Sequence, residues 1–276
     1  MKIERAKVLG FCAGVKRAVE IAERNPNSFI TGGDIVHNPG VSARLKKDFN
    51  IVPAADLDSI PPFATAIIRA HGIGRTEEDK LSKRGVKIVD ATCVNVKKIH
   101  EIVERLSAEK RHIFILGEPN HPETIGILDR AGDATAISSS ADIDAKNIPP
   151  NAALVSKTTK TRAEFTAAEK VFRESGRKFE SFCTVCPNTE INQRAAAALA
   201  QKCDVMVVVG GKHSTNTKVL ADTAAEFCPD TYTVESAADL NPEWFRGKNL
   251  CGLAAGLSTP MSAIEEVEGK IKAMNN

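Results

Sequence analysis

The chain has 276 residues, 42% hydrophobic and 26% charged, enough for one large or two modest domains at about 150 residues each. Lysine plus arginine (37) nearly balances aspartate plus glutamate (35), and aromatics are only 5%, so neither charge nor base stacking points to a nucleic-acid or membrane partner. The longest strongly apolar run, Val205–Val209, falls far short of the roughly 20 residues that span a bilayer, and the charged residues 1–7 offer no secretory apolar core, so a cytoplasmic protein is expected.

Short apolar runs alternate with amphipathic stretches along the whole chain, the pattern of βα units on a mostly parallel sheet. In order, the sequence predicts a strand-like 7–12 ending at Cys12, a helix from Ala13, a strand at 28–31 and a helix from Val41. A strand at 65–69, a helix from Thr76, a strand at 87–90 and a helix from Val94 follow. Next come a strand at 111–116, a helix from Thr124, a strand at 152–156, a helix from Arg162 and a strand running toward Cys186. A helix from Thr189, a strand at 205–209, a helix from Thr217, a strand at 251–254 and a helix from Pro260 complete the chain.

These segments fall into three blocks of one order. Each opens with a strand running into glycine and a polar loop: Ile30-Thr31-Gly32-Gly33 to His37-Asn38-Pro39, Ile115-Leu116-Gly117 to His121-Pro122-Glu123, and Val209-Gly210-Gly211 to His213-Ser214-Thr215-Asn216. Each reaches a second polar strand end, at Arg69-Ala70-His71-Gly72, Ser156-Lys157-Thr158-Thr159 and Gly256-Leu257-Ser258-Thr259. The first two close on a strand leading to Cys93 and Cys186, and the N-terminal segment ending at Cys12 supplies the missing piece of the third. The blocks are 13–93, 94–186, and 187–276 joined with 1–12. A pseudo-threefold arrangement would bring Cys12, Cys93 and Cys186 to one point, ringed by the polar residues at the carboxyl ends of the strands, where ligands of α/β sheets collect.

Seven cysteines in a reducing compartment argue for burial, metal or catalysis rather than disulfides. Cys203, Cys228 and Cys251 lie in apolar or Ala-rich patterns and read as small buried side chains. Three thiolates without a fourth protein ligand suit an iron–sulfur cluster with one open iron better than a closed structural zinc. The spacing of Cys183 and Cys186 is also that of a thioredoxin-like CxxC, which spacing alone does not dismiss. No G-x-G-x-x-G follows a strand, whereas Gly211, Lys212, Ser214, Thr215 and Asn216 ahead of a helix form an anion cradle that, with His37, His71 and His121, would suit a diphosphate.

These residues resemble the LytB/IspH family of iron–sulfur reductases over essentially the whole chain. The resemblance rests on Gly10-Phe-Cys12-Ala-Gly-Val-Lys-Arg17-Ala, Gly32-Gly33 with His37-Asn38-Pro39, Ala70-His71-Gly72 and Asp90-Ala-Thr-Cys93. It extends through His121-Pro122-Glu123, Ser156-Lys-Thr158-Thr159, Cys186 with Gln193, the Val209 to Asn216 segment and Ala255-Gly256-Leu-Ser258-Thr-Pro260. It implies a trefoil of three α/β domains about a central 4Fe-4S cluster held by Cys12, Cys93 and Cys186. It also implies reductive dehydration of (E)-4-hydroxy-3-methylbut-2-enyl diphosphate to isopentenyl and dimethylallyl diphosphate, the last step of the methylerythritol phosphate route to isoprenoids.

On the same footing Glu123 would supply the proton, with His121 as rival donor, and Thr158 would bond the substrate hydroxyl. His37, His71, His121, Ser214, Thr215, Asn216 and Ser258 would bind the diphosphate, with electrons from ferredoxin or flavodoxin. The chain departs from the family pattern at Val94, at His213, at Pro187-Asn188-Thr189, at Asn192 before Gln193, and in the extra thiol of Cys183. Two alternatives stand beside this reading: a relative reducing another oxygenated substrate, and a non-catalytic iron–sulfur redox sensor.

Overall fold

The computed structural model describes residues 1–36, 38–212 and 214–274. The chain opens with β1 (Lys2–Arg5) and α1 (Ala13–Glu23). The first repeat runs β2 (Phe29–Ile30), α2 (Pro39–Phe49), β3 (Val52–Pro53), β4 (Thr65–Ile68), α3 (Arg75–Lys83) and β5 (Lys87–Asp90). After α4 (Val94–Ala108), the second runs β6 (Ile113–Leu116), α5 (Pro122–Ala131), β7 (Ala134–Ile137), β8 (Ala152–Ser156), α6 (Arg162–Glu174) and β9 (Phe179–Phe182). After α7 (Pro187–Ala200), the third runs β10 (Val205–Val209), α8 (Thr215–Ala225), β11 (Thr231–Val234), β12 (Leu250–Ala255) and α9 (Met261–Met274).

Each repeat builds one four-stranded sheet in which every pairing is parallel. The orders are β3-β2-β4-β5, β7-β6-β8-β9 and β11-β10-β12-β1. The first-made strand of each repeat thus sits inside, the second at one edge, and the fourth at the other edge. In the third sheet that fourth place is taken by β1, whose Lys2 pairs in register with Leu250 and Arg5 with Leu253. The chain is therefore three α/β units of one topology.

The closing strand is not where the sequence predicted it. Segment 7–12 is loop, and the strand lies earlier, at β1. Gly10 adopts φ +75°, outside the β region, and a Cβ there would press on Met261 Sδ at 3.2 Å and Thr259 O at 3.3 Å. The apolar Leu9, read as strand, instead packs against both hydrophobic layers of the third sheet.

By compactness the chain divides into two bodies. The first comprises Met1–Lys16, Val36–Ala43 and the stretch from Pro187 through α9, and the second comprises Arg17–Ile35 and Arg44–Cys186. In the first, Val205, Val207 and Val209 of β10 face one core layer and Met206 and Val208 the other. In the second, Ile113 and Ile115 of β6 pack with Ile99, Val103 and Leu106 of α4, while Phe114 and Leu116 face Phe165 and Phe172 of α6. Central strands buried on both faces read as unbroken apolar runs, which is how a parallel sheet covered by helices must look. A clamp joins the two sheets of the second body: Arg130 of α5 donates to Ile73 O (3.0 Å), Glu104 of α4 (2.8 Å) and Glu78 of α3 (2.6 Å).

Candidate active site

All three motif cysteines stand in one local context, between a fourth strand and the helix that follows. Cys93 is the N-cap of α4, and α1 and α7 begin immediately after Cys12 and Cys186. Lys16 N bonds Cys12 O and Lys97 N bonds Cys93 O, both at 2.9 Å, so each carbonyl opens its helix. Helix N-termini favour thiolate over thiol, which is what a metal requires of cysteine.

The second body gathers most of the predicted chemistry. Cys93 N donates to Ala70 O (3.0 Å), tying the cysteine to the His71 loop. Gly72 has φ +74°, and a Cβ there would meet His100 Cε1 at 2.7 Å, so this loop demands glycine. Arg17 of α1 donates to Thr92 O at 3.0 Å and Asp90 Oδ1 accepts from Thr92 N at 2.8 Å, fixing the approach to Cys93 from both sides. Cys186 N donates to Thr158 O (2.8 Å), and Asn95 Nδ2 of α4 donates to Cys186 Sγ (3.2 Å). Burial pushes the Cys93 thiol up, the Asn95 and Val96 backbone N–H groups pull it down, and the negative charges of Cys186 and Glu123 push it up again. The two cysteines and Glu123 are thus within electrostatic reach of one another.

Glu123 occupies the first turn of α5, only 1% exposed. Its Oε1 accepts from Thr158 N at 2.6 Å and its Oε2 from Thr158 Oγ1 at 2.8 Å. Burial raises its pKa, against the lowering effects of both Thr158 bonds and of Lys157. His121, the N-cap of α5, accepts the Glu123 N–H at Nδ1 (3.2 Å), which leaves its proton on Nε2 in the neutral ring. The His71 and His121 rings meet edge to face, 5.8 Å between centroids. Beneath Glu123, the fully buried Lys157 pairs with Glu118, which Lys160 also holds at 2.8 Å. Burial opposes the Glu118 charge, but the two lysines bring its pKa down to about 2.

The first body carries the predicted anion cradle. Ser214, 4% exposed, is the N-cap of α8 and accepts from Thr217 N at 3.3 Å. Thr215 and Asn216 form the first turn of that helix, and Ser258 follows β12. Among the described residues, Asn216 Nδ2, Gln193 Nε2 and Ser42 Oγ are buried polar atoms with no hydrogen-bond partner. A helix N-terminus beside unsatisfied donors is the equipment of an anion site. Cys12 also belongs to this body, its N–H donating to Leu257 O at 3.2 Å. His37 and His213 lie outside the described residues.

The family described as LytB protein matches residues 3–272. The chain belongs to the LytB family. This LytB protein is 42% identical over 275 residues to the 4-hydroxy-3-methylbut-2-enyl diphosphate reductase of Helicobacter pylori (strain Shi470), covering 99% of this chain and 100% of that one. It is 40% identical over 272 residues to the enzyme of that name from a Nitratiruptor species, covering 99% and 98%. A solved structure of (E)-4-hydroxy-3-methyl-but-2-enyl diphosphate reductase, the terminal enzyme of the non-mevalonate pathway, matches with TM-score 0.72 at 36% identity over 98% of this chain and 99% of that one. The E-1-hydroxy-2-methyl-but-2-enyl-4-diphosphate reductase of Plasmodium falciparum matches with TM-score 0.91 at 26% identity, covering 99% and 88%.

Within this LytB protein the two thiols of the CxxC differ in kind: Cys183 is exposed, whereas Cys186 is half-buried and fixed by Thr158 and Asn95. Cys228 and Cys251 are buried, as their apolar surroundings predicted, whereas Cys203, expected buried as well, is half-buried against the core of the third sheet. Among the described residues no three His, Cys, Asp or Glu side chains form a metal-ready group. Nor, among them, is any helix long and apolar enough to cross a membrane. The residues that sequence reasoning missed are Lys157, Glu118 and Asn95. A lysine directly after an apolar strand, with a glutamate at the end of the neighbouring strand, was the available signal for the first two.

Proposed function

We propose that this chain is a 4-hydroxy-3-methylbut-2-enyl diphosphate reductase of the non-mevalonate pathway, carrying out the two-electron reductive dehydration of an allylic alcohol. The substrate takes up two electrons and two protons, loses its allylic hydroxyl as water, and leaves as isopentenyl or dimethylallyl diphosphate. The observation that carries this reading is the buried Glu123–Thr158 pair standing beside Cys93 and Cys186 at the starts of three helices.

Cys12, Cys93 and Cys186 would hold a 4Fe-4S cluster, which supplies the electrons and an open iron for the departing oxygen. The sulfur donor set, placed at helix starts and with no fourth ligand assigned among the described residues, fits that group. Glu123 holds a proton because burial disfavours its charged form, and it delivers that proton to the leaving hydroxyl. Thr158 orients the carboxyl through two hydrogen bonds and presents its hydroxyl to the substrate oxygen. Lys157, fully buried, lowers the Glu123 pKa and so moderates the upward push of burial.

The diphosphate is gripped by Ser214, Thr215, Asn216 and Ser258 with His37 and His71, and by His121 through its Nε2–H. Electrons arrive from ferredoxin or flavodoxin, and the protein works in the cytoplasm. The units 13–93, 94–186, and 187–276 with 1–12 each contribute one cysteine. Anaerobic purification followed by an assay of reductant consumption with the allylic diphosphate tests the reading. Substrate-dependent consumption with release of both products is expected. An iron-loaded protein that binds the diphosphate but consumes no reductant would overturn it.

A further inference from the structure

Asn95 lies in the first turn of α4, two residues past Cys93, and its side chain crosses to the loop after β9. There its Nδ2 lies 3.2 Å from Cys186 Sγ. The Cys186 backbone is already anchored, through its N–H to Thr158 O, so the Asn95 amide addresses the sulfur alone. Nothing in the proton-delivery scheme uses this contact. An amide N–H aimed at a thiolate draws off part of its negative charge. In a metal–thiolate group that effect is larger in the reduced state, which carries one more negative charge, so such a bond raises the reduction potential.

We propose that Asn95 is a positioning residue that sets the reduction potential of the metal group through its hydrogen bond to Cys186 and fixes the direction in which that sulfur points. The inference rests on the reading of Cys186 as a cluster ligand. The step concerned is a one-electron reduction: the external donor is oxidised, the cluster is reduced, and the Asn95 N–H bond shortens onto the more negative sulfur without any proton changing place. A stronger bond in the reduced state makes the group accept its electron from a weaker donor.

The test compares Asn95→Leu, which keeps the side-chain size and removes the donor, with Asn95→Ser, which retains a short O–H donor. All are purified anaerobically, and iron and sulfide per chain are measured before a potentiometric titration followed by EPR and visible absorption. Iron content is expected to equal that of the parent. At a fixed potential Asn95→Leu is expected to show about tenfold less reduced cluster, equivalent to about 59 mV for one electron. Asn95→Ser should fall between the two. Equal potentials in all three proteins at full iron content would overturn the proposal while leaving the cluster reading standing. Full iron retention by Cys186→Ser would instead remove the ligand assignment, and the proposal with it.

Discussion

Replacing Glu123 by glutamine separates the proton it carries from the packing it provides. The carboxyl is 1% exposed and accepts one bond from Thr158 N and one from Thr158 Oγ1, at 2.6 and 2.8 Å. Glutamine has nearly the same volume. With its carbonyl toward the Thr158 amide, its NH2 faces the Thr158 hydroxyl, which rotates to accept. Both contacts survive as neutral hydrogen bonds, as in the protonated carboxyl, and the fold should lose at most about 1 kcal/mol. The transferable proton does not survive. A positioned general acid contributes typically 10²–10⁴-fold, or about 2.7–5.4 kcal/mol of barrier, several times the expected structural cost. Anaerobic turnover with the allylic diphosphate should therefore fall at least about a hundredfold. Iron content and thermal unfolding should stay near the parent values. The pH profile adds a second reading: because burial raises the Glu123 pKa, the parent rate should decline as pH rises through that pKa, and the residual rate of the variant should lack this limb. Near-normal turnover in Glu123→Gln would refute the assignment, and an inactive His121→Asn in the same experiment would move the acid to the histidine.

Serine at Cys12, Cys93 or Cys186 should abolish the brown chromophore of anaerobically purified protein, whereas serine at the exposed Cys183 should leave it intact. Asn216→Ala removes a buried donor with no partner among the described residues, and at about 1.5–3 kcal/mol for a bond to a charged group it should weaken diphosphate binding roughly ten- to a hundredfold by calorimetry. His100 predicts an acid-side loss of stability. Burial and Arg130, with Lys97, outweigh Glu104 and Asp90 and lower its pKa to about 4, so between pH 6.5 and 4 the unfolded chain binds a proton that the folded chain does not. Stability falls as pH falls through that window, by at most about 3 kcal/mol. Urea unfolding of His100→Gln should show a correspondingly flatter pH dependence, and an unchanged slope would place the effect elsewhere.

Which strands were legible follows from where they lie in the sheets. The inner strands β4, β6, β8, β10 and β12 are covered on both faces and announce themselves as apolar runs. The edge strands β3, β7 and β11 carry short mixed sequences such as Val52-Pro53 and Thr231-Tyr232-Thr233-Val234, and went unpredicted. All nine helices were placed to within two residues of their starts among the described residues, because glycine, proline and polar caps mark them locally. In the site, Glu123 and Thr158 were named by type and position within a repeat, and the fold brings the two into hydrogen-bond contact. The raised Glu123 pKa could not be read from the sequence, because its largest cause is burial, which only the packing around α5 creates. Lys157 and Asn95 act through partners distant in sequence, Glu118 and Cys186; strand pairing offered a signal for the first pair and no local pattern exposes the second.

The pairing of Lys2 with Leu250 has a consequence for how the chain is made. At about 5–20 residues per second, a ribosome takes roughly 12–50 s between releasing β1 and releasing the strand it must join. Through that interval β1 is a strand without a sheet, and an unpaired strand invites pairing with whatever other chain is near. Its sequence, Lys2-Ile3-Glu4-Arg5, answers that hazard: three charges around a single apolar side chain keep it in water and away from other edges until β12 arrives. The composition that made this strand invisible to pattern reading is what makes it safe to leave waiting.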